Sequence, residues 1–323
     1  MNINLITIIR NLKKILRKSG IGKWLLNNDQ TKKTLAGHPI KYSTETLFLI
    51  YCVMVIKKIR SFCSLAEFFR NYPLLCRVCG LKRVPSHDTL CRRFAKLEYE
   101  FQVAIKLMGD LFVQDKLVNP RYIAADAKLF WAPQYDRQAK FTKGSKGWVR
   151  GYSLTVLCVA TPHNIPLPLL AKAHSNSTLS FKVVASLVKH LPQTVKFVLL
   201  DSGYDFYIIY EKIERFDENH HVIRKALVFP RKNRKLDPAR VRRLKFLRST
   251  RAQKIIQRRL PSVELFFARL IKQLGVARCF FTNKKHNLAY LNLVVLVYQL
   301  LVYTNYLLGF KNIIKLKHLL NLT

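Results

Sequence analysis

Apolar residues recur at three- and four-residue intervals through the first third of the chain, then change to the shorter period of strands after about residue 115. Leu5, Ile8, Ile9, Leu12 and Ile15 or Leu16 fall on one helical face, with Arg10, Lys13, Lys14, Arg17 and Lys18 elsewhere. That predicts a basic amphipathic helix, expected to pack on the body of the protein with incidental phosphate contact. Its positive charge follows the apolar residues and no small-residue cleavage site appears, unlike a signal peptide. Ser43, Thr44 and Glu45 open a second helix through LFLIYCVMVIKKIRS, and Ser64 with Glu67 forms a capping-box pair at SLAEFFRNY. Pro73 and Gly80 break the pattern. Pro85, Ser86 and Asp88 then precede TLCRRFAKLEYEFQVAIKLMGDLF, a start signal followed by helical spacing. The turn LCRVCGLKRVPSHD between two short helices has the layout of a helix-turn-helix, with Thr89, Arg92 and Arg93 where groove contacts are made. A plain helical hairpin with surface arginines reads the same way.

Strand patterns follow at YIAADAKLFW (122–131), GYSLTVLCVAT (151–161) and LPLLAKAH (167–174), close enough in sequence to be antiparallel neighbours. Residues 177–191 have helical spacing. VKFVLLDSG is an apolar strand ending at Asp201, followed by a helix over YDFYIIYEKIERF and a strand at ALVFP. Strands and helices in this order predict a mixed sheet with flanking helices, an α/β architecture, preceded by an all-helical N-terminal region. Near the C-terminus, Leu288 to Gly309 carries no charge. It reads either as a membrane span or as a helix buried against the sheet; Asn292, Gln299, Thr304 and Asn305 interrupt it, and no membrane partner is expected.

Charge narrows the function. The chain of 323 residues has 57 Lys and Arg against 18 Asp and Glu, a formal net charge of +39, which calls for a polyanionic partner, nucleic acid first. Fifteen of the Lys and Arg lie between Arg224 and Arg259 against one acid, Asp237. The stretch from Lys140 to Arg150, KFTKGSKGWVR, reads as a basic loop interleaved with Phe141 and Trp148. Stacking of Trp131 or Trp148 on an unpaired base is one reading of these rings and a buried Trp the other. The seven cysteines are an odd number scattered through apolar segments, expected as reduced, buried thiols; Cys76 and Cys79 have no second pair at zinc-ribbon spacing.

Three carboxylates stand apart from the rest. Asp126 lies inside an otherwise apolar strand, where an unpaired charge costs several kcal/mol. Asp201 sits where a buried strand meets its turn, the place where open α/β sheets put ligand groups. Glu264 is a lone acid in the basic, apolar helix of RAQKIIQRRLPSVELFFARLIKQLG, beside the face of Val263, Phe266, Phe267 and Leu270. It reads either as an ion pair with Arg259 or Lys272 or as a metal ligand. If the strand of Asp201 pairs beside that of Asp126, the carboxylates make a cradle for hard divalent cations.

Four pieces carry a resemblance: IAADAKLF around Asp126, VLLDSGYD around Asp201, FPRKNRK from Phe229 to Lys235, and VELFFARLIKQLG around Glu264. In this order they resemble the DDE transposases of bacterial insertion sequences, whose catalytic domain has the RNase H-like fold. Arg259 and Lys272 stand one step off the family's register about the Glu, and the family's Tyr has no counterpart here. The resemblance implies an RNase H-like DDE domain over 116–323, with a basic insertion at about 224–259 and C-terminal helices, after a helical DNA-binding region over 1–115. It implies catalysis by Asp126, Asp201 and Glu264 through two Mg²⁺ ions, with Mn²⁺ as substitute, cutting the element's terminal inverted repeats and joining them to target DNA. Contacts to DNA are expected from Arg92, Arg93, Lys140, Lys143, Lys146, Arg150, Arg231, Lys232, Arg234, Lys235, Arg259 and Lys272. A cytoplasmic protein forming a homodimer or larger assembly on DNA is expected. A cellular nuclease of the same fold and a DNA-binding relic with a decayed site are the alternatives.

Overall fold

The computed structural model describes residues 4–33, 41–144, 147–160, 165–216, 218, 222–228 and 238–320. In chain order these form α1 (Leu5–Lys18), α2 (Ile21–Lys33), α3 (Thr44–Ile56), α4 (Phe62–Asn71), α5 (Pro73–Cys79), α6 (His87–Phe94) and α7 (Glu98–Gln114). Then follow β1 (Tyr122–Trp131), β2 (Lys140–Gly144), β3 (Gly147–Val159), β4 (Pro168–Ser175), α8 (Ser180–Leu187), β5 (Phe197–Leu200), α9 (Tyr207–Ile213), β6 (Arg215–Phe216) and β7 (Val222–Val228). The chain ends with α10 (Pro238–Leu247), α11 (Thr250–Ile256), α12 (Arg259–Leu274), α13 (Lys284–Leu307) and α14 (Lys317–Leu320).

Two compact units result. The helical one comprises 1–111, 132–138 and 270–323; the sheet-bearing one comprises 112–131 and 139–269. Residues 270–323 thus group with the N-terminal helices. In the helical unit, α13 is wholly buried from His286 to Asn305 and packs on α1 and α3. It is long and apolar enough to cross a membrane by length and composition. Three of its polar side chains donate within the protein: Gln299 to Ile105 O (3.0 Å), Asn287 to Asp136 Oδ2 (2.9 Å) and Asn305 to Ile313 O (2.8 Å). Within its unit the helix packs on other helices. Asn4 caps α1 and Ser43 caps α3, while α4 is capped by Ser61, three residues before the expected Ser64. The stretch read as one helix after Asp88 is broken into α6 and α7. Cys52, Cys76, Cys79, Cys158 and Cys279 are buried, but Cys63 is exposed and Cys91 half-buried.

The sheet has the order β2-β3-β1-β5-β7-β6, with β4 also paired to β3. β3 runs antiparallel to β1, whereas β5 is parallel to both β1 and β7. This mixed sheet with flanking helices after a helical region is the expected architecture. β1 has the predicted bounds; the last strand begins at Val222, four residues before the expected ALVFP, whose Phe229 and Pro230 lie outside the described residues. The Pro/Asn turn at 162–164 lies outside them too. Two elements were not expected. Lys140–Arg150 is no loop but most of a hairpin, β2 with the start of β3, and the basic run carries two helices, α10 and α11. Lys225 of β7 stacks over Phe246 of α10 at 3.8 Å, so part of that charge is used in packing.

Arg224 was counted with the phosphate-binding run, and its position corrects that. It is 1% exposed. Its guanidinium donates to the carbonyls of Val195 (3.3 Å), Val188 (3.3 Å) and Pro192 (2.7 Å), tying the 188–195 turn to β7. Burial, reinforced by Arg215, lowers its pKa to about 10. Arg224→Met leaves these acceptors unpaired and is expected to cost about 3 kcal/mol in urea unfolding. A loss under about 0.5 kcal/mol would show that the turn does not depend on it.

Candidate active site

Register brings the first two acids together. The rungs between β1 and β5 end at Ala124↔Leu199, and Asp126 and Asp201 each stand two residues farther on. Neighbouring strands lie about 4.8 Å apart, so the two carboxylates flank the same gap. Asp126 is half-buried on β1, and Ala127 N–H donates to its Oδ1 at 2.8 Å. Asp201 caps the short turn Ser202–Tyr204, and its Oδ1 accepts from Ser202 N–H at 2.6 Å.

Arg259, in the first turn of α12, reaches into this gap. Its Nη2 lies 2.9 Å from Asp126 Oδ2 and 3.9 Å from Asp201 Oδ2. The guanidinium side chain is 14% exposed, and its Nε is buried with no hydrogen-bond partner among the described residues. Pro261 sits in the same first turn, where its missing N–H costs nothing. Val263, Phe266, Phe267 and Leu270 are buried as the spacing predicts, and Glu264 beside them is exposed.

Burial raises the pKa of Asp126; the Arg259 charge and the Ala127 N–H oppose that rise, while Asp201 and Glu264 add to it. The three acids therefore share one electrostatic neighbourhood. They do not converge into a formed cradle: among the described residues no three acids, histidines or cysteines are placed to hold a metal ion. Asp126 and Asp201 meet at the guanidinium. The donor set still fits a hard divalent cation, because it consists of carboxylate oxygens and already draws one cation, Arg259, as a stand-in. Sequence reasoning missed Tyr204. Its buried hydroxyl is pushed above the usual tyrosine range by burial and senses Asp126, Arg259 and Asp201. Its place in VLLDSGYD, three residues after the acid, was the available signal.

The remaining predicted contacts are scattered. Arg92, Lys140, Lys143 and Lys272 are exposed. Arg93 is half-buried and donates to Thr44 Oγ1 at 3.0 Å, and Arg150 stacks over Phe141 at 5.9 Å. Lys146, Arg231, Lys232, Arg234 and Lys235, with the FPRKNRK motif, lie outside the described residues.

The family described as Transposase DDE domain matches residues 119–300, more than half of the chain. The chain belongs to this family. The transposase acts in DNA transposition as a nuclease and transesterase, and its family works with divalent metal ions. A solved structure, a piggyBac transposase synaptic complex with hairpin DNA, is similar with a TM-score of 0.42 and 13% identity over 92% of this chain and 75% of that one. No curated protein sequence matches.

The site geometry makes a graded prediction for urea unfolding in EDTA. A double-mutant cycle of Asp126→Asn with Arg259→Gln should give a coupling of about 1–2 kcal/mol, since both side chains are largely shielded. The cycle with Asp201→Asn should give under about 0.5 kcal/mol, because Asp201 is 58% exposed and 3.9 Å away. Equal couplings would contradict the arrangement.

Proposed function

We propose that the transposase cuts and joins DNA with Asp126, Asp201 and Glu264 as the groups that hold two Mg²⁺ ions, Mn²⁺ substituting. The carrying observation is that Asp126 on β1 and Asp201, just past the end of the neighbouring parallel strand β5, face one cation. Bound there, the ions supply the charge that activates a water or a 3′-hydroxyl and steadies the leaving oxygen of a phosphodiester.

The protein's part is orientation. Ala127 N–H fixes Asp126 Oδ1, and Ser202 N–H fixes Asp201 Oδ1, so the Oδ2 atoms of both residues point toward the shared cation. Glu264 stands exposed on α12, and its charge is felt at Asp126. The Tyr204 hydroxyl keeps its proton, so it adds no further negative charge beside the acids. Arg259 competes for the same oxygens and so lowers the affinity for the first ion.

The net charge of +39 supports DNA as the partner, with element ends and target held by exposed lysines and arginines, among them Arg92, Lys140, Lys143 and Lys272. Residues 1–115 are assigned to DNA binding and 116–323 to catalysis by the DDE domain. A homodimer or larger assembly on DNA, in the cytoplasm, completes the proposal.

The test uses labelled linear DNA carrying the element's terminal inverted repeats. Mg²⁺ or Mn²⁺ should give nicked ends and strand-transfer products, and Ca²⁺ should support binding without turnover. Asp126→Asn, Asp201→Asn and Glu264→Gln should each fall to the level of a reaction without enzyme while DNA affinity persists. Parental rates in Asp201→Asn would overturn the assignment, and nicking without joined products would favour a nuclease.

A further inference from the structure

The hairpin of β2 and β3 extends beyond the rest of the sheet. β1 pairs with β3 from Gly151 onward and β4 from Tyr152 onward, while residues 147–150 pair only with β2. The result is a two-stranded ribbon. Its base is fixed by Asn176, whose side-chain amide donates to Lys140 O (3.2 Å) and Val149 O (3.3 Å).

The rungs Phe141↔Arg150 and Lys143↔Trp148 put two rings and two cations on one face of that ribbon. Phe141 is 63% exposed and Trp148 66%. Each ring stands directly across from a cation, and Arg150 lies 5.9 Å from the Phe141 centroid. Lysines on a free edge strand have an ordinary explanation, since they discourage edge-to-edge pairing. Two large exposed rings on the same face do not, because they favour the association that the lysines oppose. Rings alternating with cations suit a ligand that alternates flat apolar bases with phosphates.

We infer that this face of the β2–β3 ribbon, formed by Phe141, Lys143, Trp148 and Arg150, binds unpaired nucleobases of a single-stranded nucleic acid. The rings stack on bases and the cations pair with the adjoining phosphates. A duplex hides the base faces, so it meets only the cations. The surface is separate from the acids. Asp126 pairs with Val156, eight residues along β3 from Trp148, a distance of about 26 Å at ~3.3 Å per residue. Residues 148, 150 and 156 share parity on β3, so the ribbon's rings and Asp126 lie on the same side of the sheet.

The test measures binding of the full chain in EDTA, which separates it from any failure of the catalytic proposal. The probes are a fluorescein-labelled oligothymidylate and a blunt duplex of equal length. Phe141→Ala/Trp148→Ala should weaken single-strand affinity about tenfold per ring and leave duplex affinity unchanged. Trp148→Phe should keep most of the single-strand affinity, and Trp148→Leu, equally apolar but without a π face, should lose it. Lys143→Gln should lower the salt slope for the single strand by about 0.7. Tryptophan quenching by oligothymidylate should be present in the parent and largely lost in Trp148→Phe. Equal losses on both probes, or no loss on either, would overturn the inference, as would dissociation of a protein dimer by the variants with DNA affinities unchanged. If the double variant does not fold, the single Trp148→Leu and Trp148→Phe comparison decides.

Discussion

The contact on which the site depends is the ion pair between Arg259 and Asp126, 2.9 Å long and mostly shielded from water. A carboxylate in the middle of a strand, with Val156 across from it and apolar residues before it, cannot stay charged at its own expense. Arg259 offsets that cost, and to do so it must enter the first turn of α12 at the place where β1 and β5 end their pairing. The apolar face of Val263, Phe266, Phe267 and Leu270 sets the helix, Pro261 suits its start, and the guanidinium is thereby aimed between two acids. A cation bonded to one carboxylate and within 4 Å of a second is the same electrostatic demand that divalent ions satisfy in carboxylate sites.

Much of this was legible from residue types. Asp126 could be singled out because a charged residue interrupts an otherwise apolar strand, and β1 has the bounds its pattern predicts. Asp201 could be singled out because an apolar strand stops at it. Glu264 was less determined: helical periodicity places it beside the apolar face without saying how far its carboxylate stands from the others, and the structure leaves it exposed. A charge count treats every arginine as available, so it does not show that Arg259 pairs with Asp126. Nor does it separate Arg224, which backbone carbonyls enclose, from the rest of the basic run.

Other features were hidden for different physical reasons. The Lys140–Arg150 stretch reads as a loop because Lys and Gly are frequent in it and only two of its residues carry rings. Helices α10 and α11 lie in a run where positive charge outweighs any periodic signal. The α13 helix is apolar on every side, so its sequence announces burial but cannot name the partner; it proves to be α1 and α3 in the helical unit. Tyr204 stood within a recognised motif, yet a tyrosine after a turn is unremarkable until its hydroxyl is seen to sense both aspartates and Arg259.

If the proposed ligands are right, a divalent ion would contend with the guanidinium of Arg259 for the same oxygens of Asp126 and Asp201, which can be seen directly. The decisive measurement is anomalous scattering from crystals of the full chain soaked in Mn²⁺. The account predicts a manganese peak in coordinating contact with one oxygen of Asp126 and one of Asp201, with the Arg259 side chain no longer on Asp126 Oδ2. A saturating soak that leaves no peak there, with Arg259 still bonded to Asp126, would contradict it.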